Sequence, residues 1–141
     1  MVANQVVIFN SSRVRSLVTA RLPGWDEERF GRALVEYQRF LTLCKENPGS
    51  KVMAPADVDE LWHMHMLDSV HYTNDCKRIF GEYLHHDPCI GEPDIQNTRA
   101  TLDLYEELFG ERPGAEWKKM LTCANPGGGC GSITASHQNA H

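Results

Sequence analysis

Residues 53–88, MAPADVDELWHMHMLDSVHYTNDCKRIFGEYLHHDP, decide the fold and carry five of the seven histidines in the chain. Read as one α-helix over 56–83, with about 100° between side chains, the stretch has one broad inward face. That face is apolar at both ends and polar in the middle, where His65, Asp68 and Tyr72 follow at spacings of three and four residues. A buried carboxylate costs several kcal/mol unless it is paired, so we expect Asp68 to have a partner on this face.

The sequence also bears on where this long helix breaks and where it ends. A break near residues 68–71 into two pieces that meet at an angle is an alternative to one continuous helix. The element is expected to end at Asp87-Pro88, because the residue before a proline avoids helical angles. His85 and His86 are then placed at a helix C-terminus, where the helix dipole favours a cationic ring. Both imidazoles are candidate partners for Asp68.

Capping and breaking residues predict further helices on both sides of this stretch. The predicted starts are Ser11 or Ser12, Asp26 and Asp94, and the corresponding ends are Pro23-Gly24, Asn47-Pro48 and Gly110. Trp117 and Leu121 form a last apolar turn. The sequence therefore predicts an all-α bundle of four to five helices in residues 1–121.

Residues 122–141, TCANPGGGCGSITASHQNAH, contain almost nothing to bury and are predicted to form a flexible, disordered tail. We therefore expect deletion of residues 123–141 to leave the melting temperature nearly unchanged. A second interpretation of the tail is metal binding through the spacing C-x6-C-x6-H-x3-H, although its first interval is wider than in ordinary zinc modules. Its four ligands would be Cys123, Cys130, His137 and His141.

Composition limits the classes of partner. A length of 141 residues suits one domain, and a net charge of −5 leaves no basic face for a phosphate backbone, so nucleic acid is not an expected partner. No run reaches the roughly 18 apolar residues that span a bilayer, and the N-terminus lacks a secretion signal. We therefore expect a cytoplasmic protein without membrane contact. Five cysteines, an odd number, favour free thiols or metal ligands.

The histidines and acids suggest binding of a transition metal, such as zinc, iron or copper, or of a small molecule. The candidate metal ligands are His63, His65, Asp68, His85 and His86. His63 and His65 lie about 200° apart on an unbroken helix, so both can hold one ion only if the helix kinks or a second chain contributes. The alternative is a non-catalytic protein-interaction module, in which the cluster is a structural hydrogen-bond network.

Catalysis is compatible with this cluster, but the sequence names no reaction. His65 with Asp68 is suited to general acid-base chemistry, and Cys76, one turn after Tyr72, is a candidate nucleophile. Trp62 and Tyr72 are candidate cofactor-binding residues on the same stripe. The glycine-rich segment GGGCGS lacks the lysine and the spacing of a phosphate-binding loop.

The central stretch resembles the glycine-rich-domain-containing-protein-like family, formerly listed as a domain of unknown function. The resemblance covers residues 24–93, and some members carry a similar Gly- and Cys-containing tail. It rests on Gly24-Trp25, Tyr37-x-x-Phe40-Leu41, Val58-Asp59, Trp62-His63, His65, Asp68, Tyr72, Asp75-Cys76 and Leu84-His85-His86. The resemblance implies a fold and a site, and it carries no substrate.

Overall fold

A computed structural model describes residues 5–122 and 129–133. Within these residues the chain forms six α-helices and three short strands. Their bounds are α1 Ser12–Arg21, α2 Glu27–Glu46, β1 Val52–Ala54, α3 Ala56–Leu67, α4 Ser69–Phe80, β2 His85–Asp87, α5 Ile95–Phe109, α6 Ala115–Lys118 and β3 Gly129–Ser132. A 3₁₀ turn, Lys119–Leu121, follows α6. The protein is therefore mostly helical, as predicted, but it is not strictly all-α.

The predicted helix boundaries at Asp26, Asp94 and Gly110 are confirmed. Asp26 Oδ1 accepts a hydrogen bond from the backbone N–H of Arg29 at 2.8 Å, and Asp94 Oδ1 accepts one from Asn97 at 3.0 Å. These bonds satisfy amide groups that a helix start leaves without partners. Gly110 ends α5 with a φ of 74°, a left-handed conformation that glycine adopts without steric cost.

The continuous helix over residues 56–83 is wrong, and the alternative with a break is confirmed. Asp68, with φ −89° and ψ 67°, leaves the helical region between α3 and α4. Its N–H still donates to His65 O at 3.1 Å, and its carbonyl accepts from Tyr72 N at 2.9 Å. One residue thus ends the first helix and begins the second, so the two helices no longer share one continuous face.

The three strands form an antiparallel sheet in the order β1-β3-β2. Met53 and Asp87 are both register partners of Cys130, and Val52 and His86 are both partners of Gly131. The placement of His85–Asp87 at a helix C-terminus is therefore wrong. These residues extend because their backbone groups pair with β3, which a helical terminus could not do.

The expectation that the tail buries nothing is wrong for residues 129–133. Gly129–Ser132 is the central strand, and Cys130 and Ile133 are buried. A Cβ on Gly131 would lie 2.6 Å from Cη2 of Trp62, so only glycine lets the strand pass over this ring. The strand is buried through its backbone, which a search for apolar side chains does not detect. Cys123, His137 and His141, with the rest of residues 123–128 and 134–141, lie outside the described residues.

Helix α2 lies at the centre of the core, with polar contacts on two sides. Tyr37 is fully buried and bonds to α3, while Glu36 accepts hydrogen bonds from Tyr105 at 2.8 Å and Trp117 at 2.9 Å. These contacts fix α3 and the C-terminal helices on the same central element. Among the described residues, no helix has the length and apolar character needed to cross a membrane.

Candidate functional site

A buried carboxylate, Asp59, lies at the centre of the site. It is in the first turns of α3, and its side chain is only 4% exposed. His63 follows four residues later on the same helical face, and its Nε2 lies 3.5 Å from Asp59 Oδ2. The His63 side chain is 41% exposed, so the cluster opens to solvent at this residue.

The third member, His86, comes from β2. Its Nε2 lies 2.5 Å from Asp59 Oδ1, although the two residues are separated by 27 positions in the chain. The His86 ring packs on Trp62 with centroids 4.1 Å apart and on His63 with centroids 4.7 Å apart. The sheet and α3 thus bring two imidazoles to one carboxylate.

Strand β3 covers the cluster with the backbone of Gly129. A Cβ at this position would lie 2.5 Å from His86 Cε1 and 2.7 Å from Asp59 Oδ1. Real side chains do not approach that closely, so glycine is required for the backbone to cover the site. The central strand therefore forms one wall of the cluster.

The ligand atoms of Asp59, His63 and His86 suit a transition metal of intermediate softness. One carboxylate oxygen and two imidazole nitrogens lie within 4.8 Å of one another. Both ion pairs of Asp59 in the described part of the chain are with these histidines. Nitrogen and oxygen donors of this kind bind zinc, iron and copper in proteins.

His65, a predicted ligand, belongs to a separate hydrogen-bond network. Its Nδ1 lies 2.8 Å from the Tyr37 hydroxyl, and its Nε2 lies 2.8 Å from Asp75 Oδ2. Burial raises the pKa of Tyr37 and lowers the pKa of His65, so a neutral imidazole accepts from Tyr37 and donates to Asp75. Phe9 stacks on the ring with centroids 4.4 Å apart. Both ring nitrogens are therefore occupied.

The side chain of Asp68 makes no hydrogen bond with His65 or Tyr72, contrary to prediction. Its carboxylate accepts from Arg13 of α1 at 2.6 and 3.1 Å, and it lies 3.1 Å from Nδ1 of His71. The hydrogen bond from Arg13 lowers the pKa of Asp68. The helix break explains this position, because it turns the residue from the α3 face toward α1. The partners of Asp68 are therefore Arg13 and His71, whose side chains are both exposed.

The predicted cofactor-binding residues, Trp62 and Tyr72, are buried, and their polar atoms have hydrogen-bond partners. Trp62 Nε1 donates to the Tyr72 hydroxyl at 2.9 Å, and that hydroxyl donates to Leu84 O at 2.5 Å. Cys76 is buried beside Tyr72, and burial raises the pKa of its thiol. A protonated, buried thiol is a poor nucleophile. These three side chains connect α3, α4 and the start of β2.

Of the predicted metal ligands, the structure brings His63 and His86 together. His85 alternates to the other side of β2, where it is exposed and its ring packs on Tyr83 with centroids 4.8 Å apart. In the sequence, Asp59 stood out only as part of the Val58-Asp59 match to the family. Its spacing of four residues from His63 was the available signal for this member of the site. Nothing local indicated Gly129.

Fold and cluster together define a small, mostly helical protein with a buried carboxylate-imidazole site and a three-stranded sheet over it. The chain belongs to the UCP032817-like family, whose model matches residues 6–103. The matched segment contains Asp59, His63 and His86, while the central strand Gly129–Ser132 lies beyond it.

Two plant proteins are similar to this chain, which confirms the resemblance seen in the sequence. Glycine-rich domain-containing protein 2 of Arabidopsis thaliana is 30% identical over 89 residues, covering 57% of this chain and 11% of that protein. Glycine-rich domain-containing protein 1 of the same plant is 29% identical over 80 residues, covering 57% of this chain and 9% of that protein. The similarity thus spans a small part of each relative. No solved structure gives a significant match.

Proposed function

We propose that the protein binds a divalent transition-metal ion, with zinc as the best fit, through Asp59, His63 and His86. The observation that carries the proposal is the convergence of two imidazoles on one buried carboxylate. A carboxylate removed from water needs a compensating positive charge or strong hydrogen bonds. A metal ion bound by all three residues supplies that charge.

The two ligand pairs that involve Asp59 lie close to the spacing that a zinc ion needs. Ligand atoms bound tetrahedrally to zinc at about 2.0–2.1 Å lie about 3.3 Å from one another. The Asp59–His63 separation of 3.5 Å already matches this spacing. The 2.5 Å hydrogen bond between Asp59 and His86 has to widen by less than about 1 Å. A side-chain rotation of either residue provides this change.

Neighbouring groups also suit a metal site. Glu60 Oε1 lies 3.5 Å from Nδ1 of His63, where a carboxylate can orient a ligating imidazole. Three protein ligands leave one tetrahedral position, and the half-exposed His63 gives the cluster access to solvent. This position is available to water or to a donor atom of a small ligand, as in zinc sites that activate water.

Zinc titration of the metal-stripped full-length chain tests the proposal. We expect one zinc per chain by calorimetry and elemental analysis. The variants Asp59→Asn and His86→Ala should weaken zinc binding by at least about 100-fold, because each removes a ligand. His85→Ala is the matched control, because its side chain lies on the other side of the same strand. Equal zinc affinity in all four proteins would contradict the proposal.

A protein-interaction module remains the second candidate, with a structural role for the cluster. The short Asp59–His86 hydrogen bond joins α3 to β2, and the described buried polar side-chain atoms all have partners. A purely structural cluster would bind no zinc in any variant. Loss of His86 would then lower only the melting temperature, whereas His63→Ala, at a half-exposed position, would change neither property.

A further inference from the structure

Two cysteines meet on the sheet, away from the cluster around Asp59. Cys89, in the turn after β2, and Cys130, in β3, have their Sγ atoms 2.7 Å apart, although 41 residues separate them in the chain. Two unbonded sulfur atoms ordinarily lie farther apart than this. Cys130 is buried and Cys89 is partly exposed. The contact therefore offers one accessible thiol and one protected thiol.

The backbone directs Cys89 toward this partner. Cys89 has a φ of 52°, and it is the only described residue other than glycine with a positive φ. Such a conformation is uncommon for a residue with a side chain. The backbone N–H of Cys89 donates to Asp87 Oδ1 at 3.0 Å, which holds the turn, and Asp87 is the register partner of Cys130.

A lysine ammonium lies close to the cysteine pair. The Lys51 ammonium lies 3.9 Å from Asp87 Oδ2. Burial raises the pKa of both thiols, and the charge of Lys51 offsets only part of this rise. A surface pocket of about 350 Å³ opens beside Cys130 and is lined by Lys51 and Asp87 among others. A small anionic reagent can therefore reach the neighbourhood of Cys130, and Cys89 beside it is partly exposed.

We propose that Cys89 and Cys130 form a redox-active dithiol that low-molecular-weight disulfides of the glutathione type oxidise to an intramolecular disulfide. Cys89 first loses its proton to water, and its thiolate attacks one sulfur of the small disulfide. The S–S bond of that disulfide breaks, and the leaving sulfur takes up a proton and departs as the first small thiol. Cys130 then attacks Sγ of Cys89, forms the Cys89–Cys130 bond and releases the second small thiol. The protein loses two electrons and two protons, and the two released thiols carry them.

A metal site is the alternative for this pair. The ligand atoms of Asp87, Cys89 and Cys130 lie within 4.8 Å of one another. Two features argue for oxidation over metal binding. Two thiolates on one zinc at about 2.3 Å lie about 3.8 Å apart, whereas these sulfurs are 2.7 Å apart. The Lys51 ammonium beside Asp87 repels a cation. Both features are compatible with a covalent S–S bond.

The bond would fasten the central strand to its neighbour. Oxidation closes a loop between positions 89 and 130 and fixes Cys130 against the end of β2. A cross-link of this kind restricts the unfolded chain, and a loop of this length raises the melting temperature by about 10 °C for a protein of this size. The effect does not require a metal ion at Asp59.

The test incubates the metal-stripped full-length protein with excess glutathione disulfide. Remaining thiols are then alkylated, and the peptides are mapped by mass spectrometry. We expect a Cys89–Cys130 disulfide, a melting temperature about 10 °C higher, and reversal of both by a dithiol reductant. Cys89→Ser should abolish both effects. Cys123→Ser should preserve them and thus serves as the control.

Two outcomes would overturn the proposal. One is full alkylation of both cysteines after this treatment, or a bond from either of them to Cys123 in their place. The other is a zinc titration in which the parent and Asp59→Asn each bind one equivalent of zinc and Cys89→Ser binds none. That result would assign the two sulfurs to a metal site. The cysteine pair and the Asp59 cluster are thus tested by different variants.

Discussion

At the scale of single residues, His65 and His63 each contact a carboxylate, but the two contacts have different chemical roles. His65 has both ring nitrogens engaged, by Tyr37 and Asp75, within a covered network. His63 is half exposed, and its contacts with Asp59 and Glu60 are both at 3.5 Å, longer than a good hydrogen bond. The first arrangement holds the core together. The second leaves donor atoms available, and this difference places the proposed metal at Asp59.

Stability should fall as the pH drops below about 6.5 because of His65. Burial lowers its pKa in the folded protein below the ordinary 6.5. The unfolded chain therefore takes up a proton first as the pH falls. The stabilisation is complete above about 6.5 and is lost as the pH falls toward the folded-state pKa. One such group contributes a slope of up to about 1.4 kcal/mol per pH unit.

The measurement is urea unfolding from pH 7.5 to 5 with a chelator present. His65→Gln should show a shallower loss of free energy of unfolding than the parent. His85→Gln, at an exposed position, should keep the parental slope. Parallel curves for the parent and His65→Gln would remove His65 as the cause.

Gly129→Ala should destabilise the protein and disturb the cluster. The added Cβ would lie 2.5 Å from His86 and 2.7 Å from Asp59, so the strand or these side chains must move. Overpacking of this kind costs about 1–3 kcal/mol. Chemical denaturation measures the loss, and zinc titration measures the effect on the site.

Gly31→Ala is the matched control, because a Cβ on Gly31, in the second turn of α2, would meet no atom within 4 Å. This change should stabilise the protein by about 0.5–1 kcal/mol, since alanine is the better helix former. If both substitutions had the same small effect, β3 would not be packed against Asp59 and His86.

At the scale of elements, the short strand β3 holds the sheet together, although its composition gave no sign of this role. It pairs with β1 on one side and β2 on the other, and Gly131 lies against the ring of Trp62. Without β3 the two outer strands have no shared partner and the ring loses its cover. The strand therefore connects the C-terminal part of the chain to the core.

Deletion of residues 123–141 should lower stability strongly, which replaces the expectation drawn from composition. Removal of β3 exposes Trp62 and leaves the backbone of β1 and β2 unpaired, at a cost of about 3 kcal/mol or more. Thermal unfolding measures the difference. Deletion of residues 134–141 alone is the control, since it retains every described contact of the strand. Equal melting temperatures for the two truncated proteins would contradict this role.

At the scale of the whole molecule, metal binding and folding should be coupled. The three ligands come from α3 and β2, and β3 covers them, so an unfolded chain has no preformed site. A ligand that binds only the folded state stabilises it by about 2.7 kcal/mol at a free concentration 100 times its dissociation constant. Zinc binding is thus expected to tighten the attachment of the sheet to the helices.

The melting temperature should therefore rise with zinc concentration and return when a chelator is added. Asp59→Asn should show no such rise, whereas His85→Ala should behave as the parent does. Differential scanning calorimetry on the full-length chain provides the measurement. A rise of the same size in Asp59→Asn would locate the zinc elsewhere.

The sequence by itself determined the helices on either side of residues 53–88 and several of their ends. Asp26, Asp94 and Gly110 act through hydrogen bonds or backbone angles within a few residues, so local spacing is sufficient to find them. The same local information located the histidine-rich centre of the chain and the family. It also indicated a break near Asp68 as an alternative, but it did not decide between a continuous helix and a broken one.

Only the tertiary structure decided which polar groups meet. His86 reaches Asp59 across 27 residues, and Cys130 reaches Cys89 across 41, because a glycine-rich strand pairs with two distant segments. Strand pairing satisfies backbone groups, which every residue carries, so side-chain periodicity holds little record of it. The helices follow from neighbours along the chain, whereas the site depends on contacts that form only when the sheet closes over Trp62.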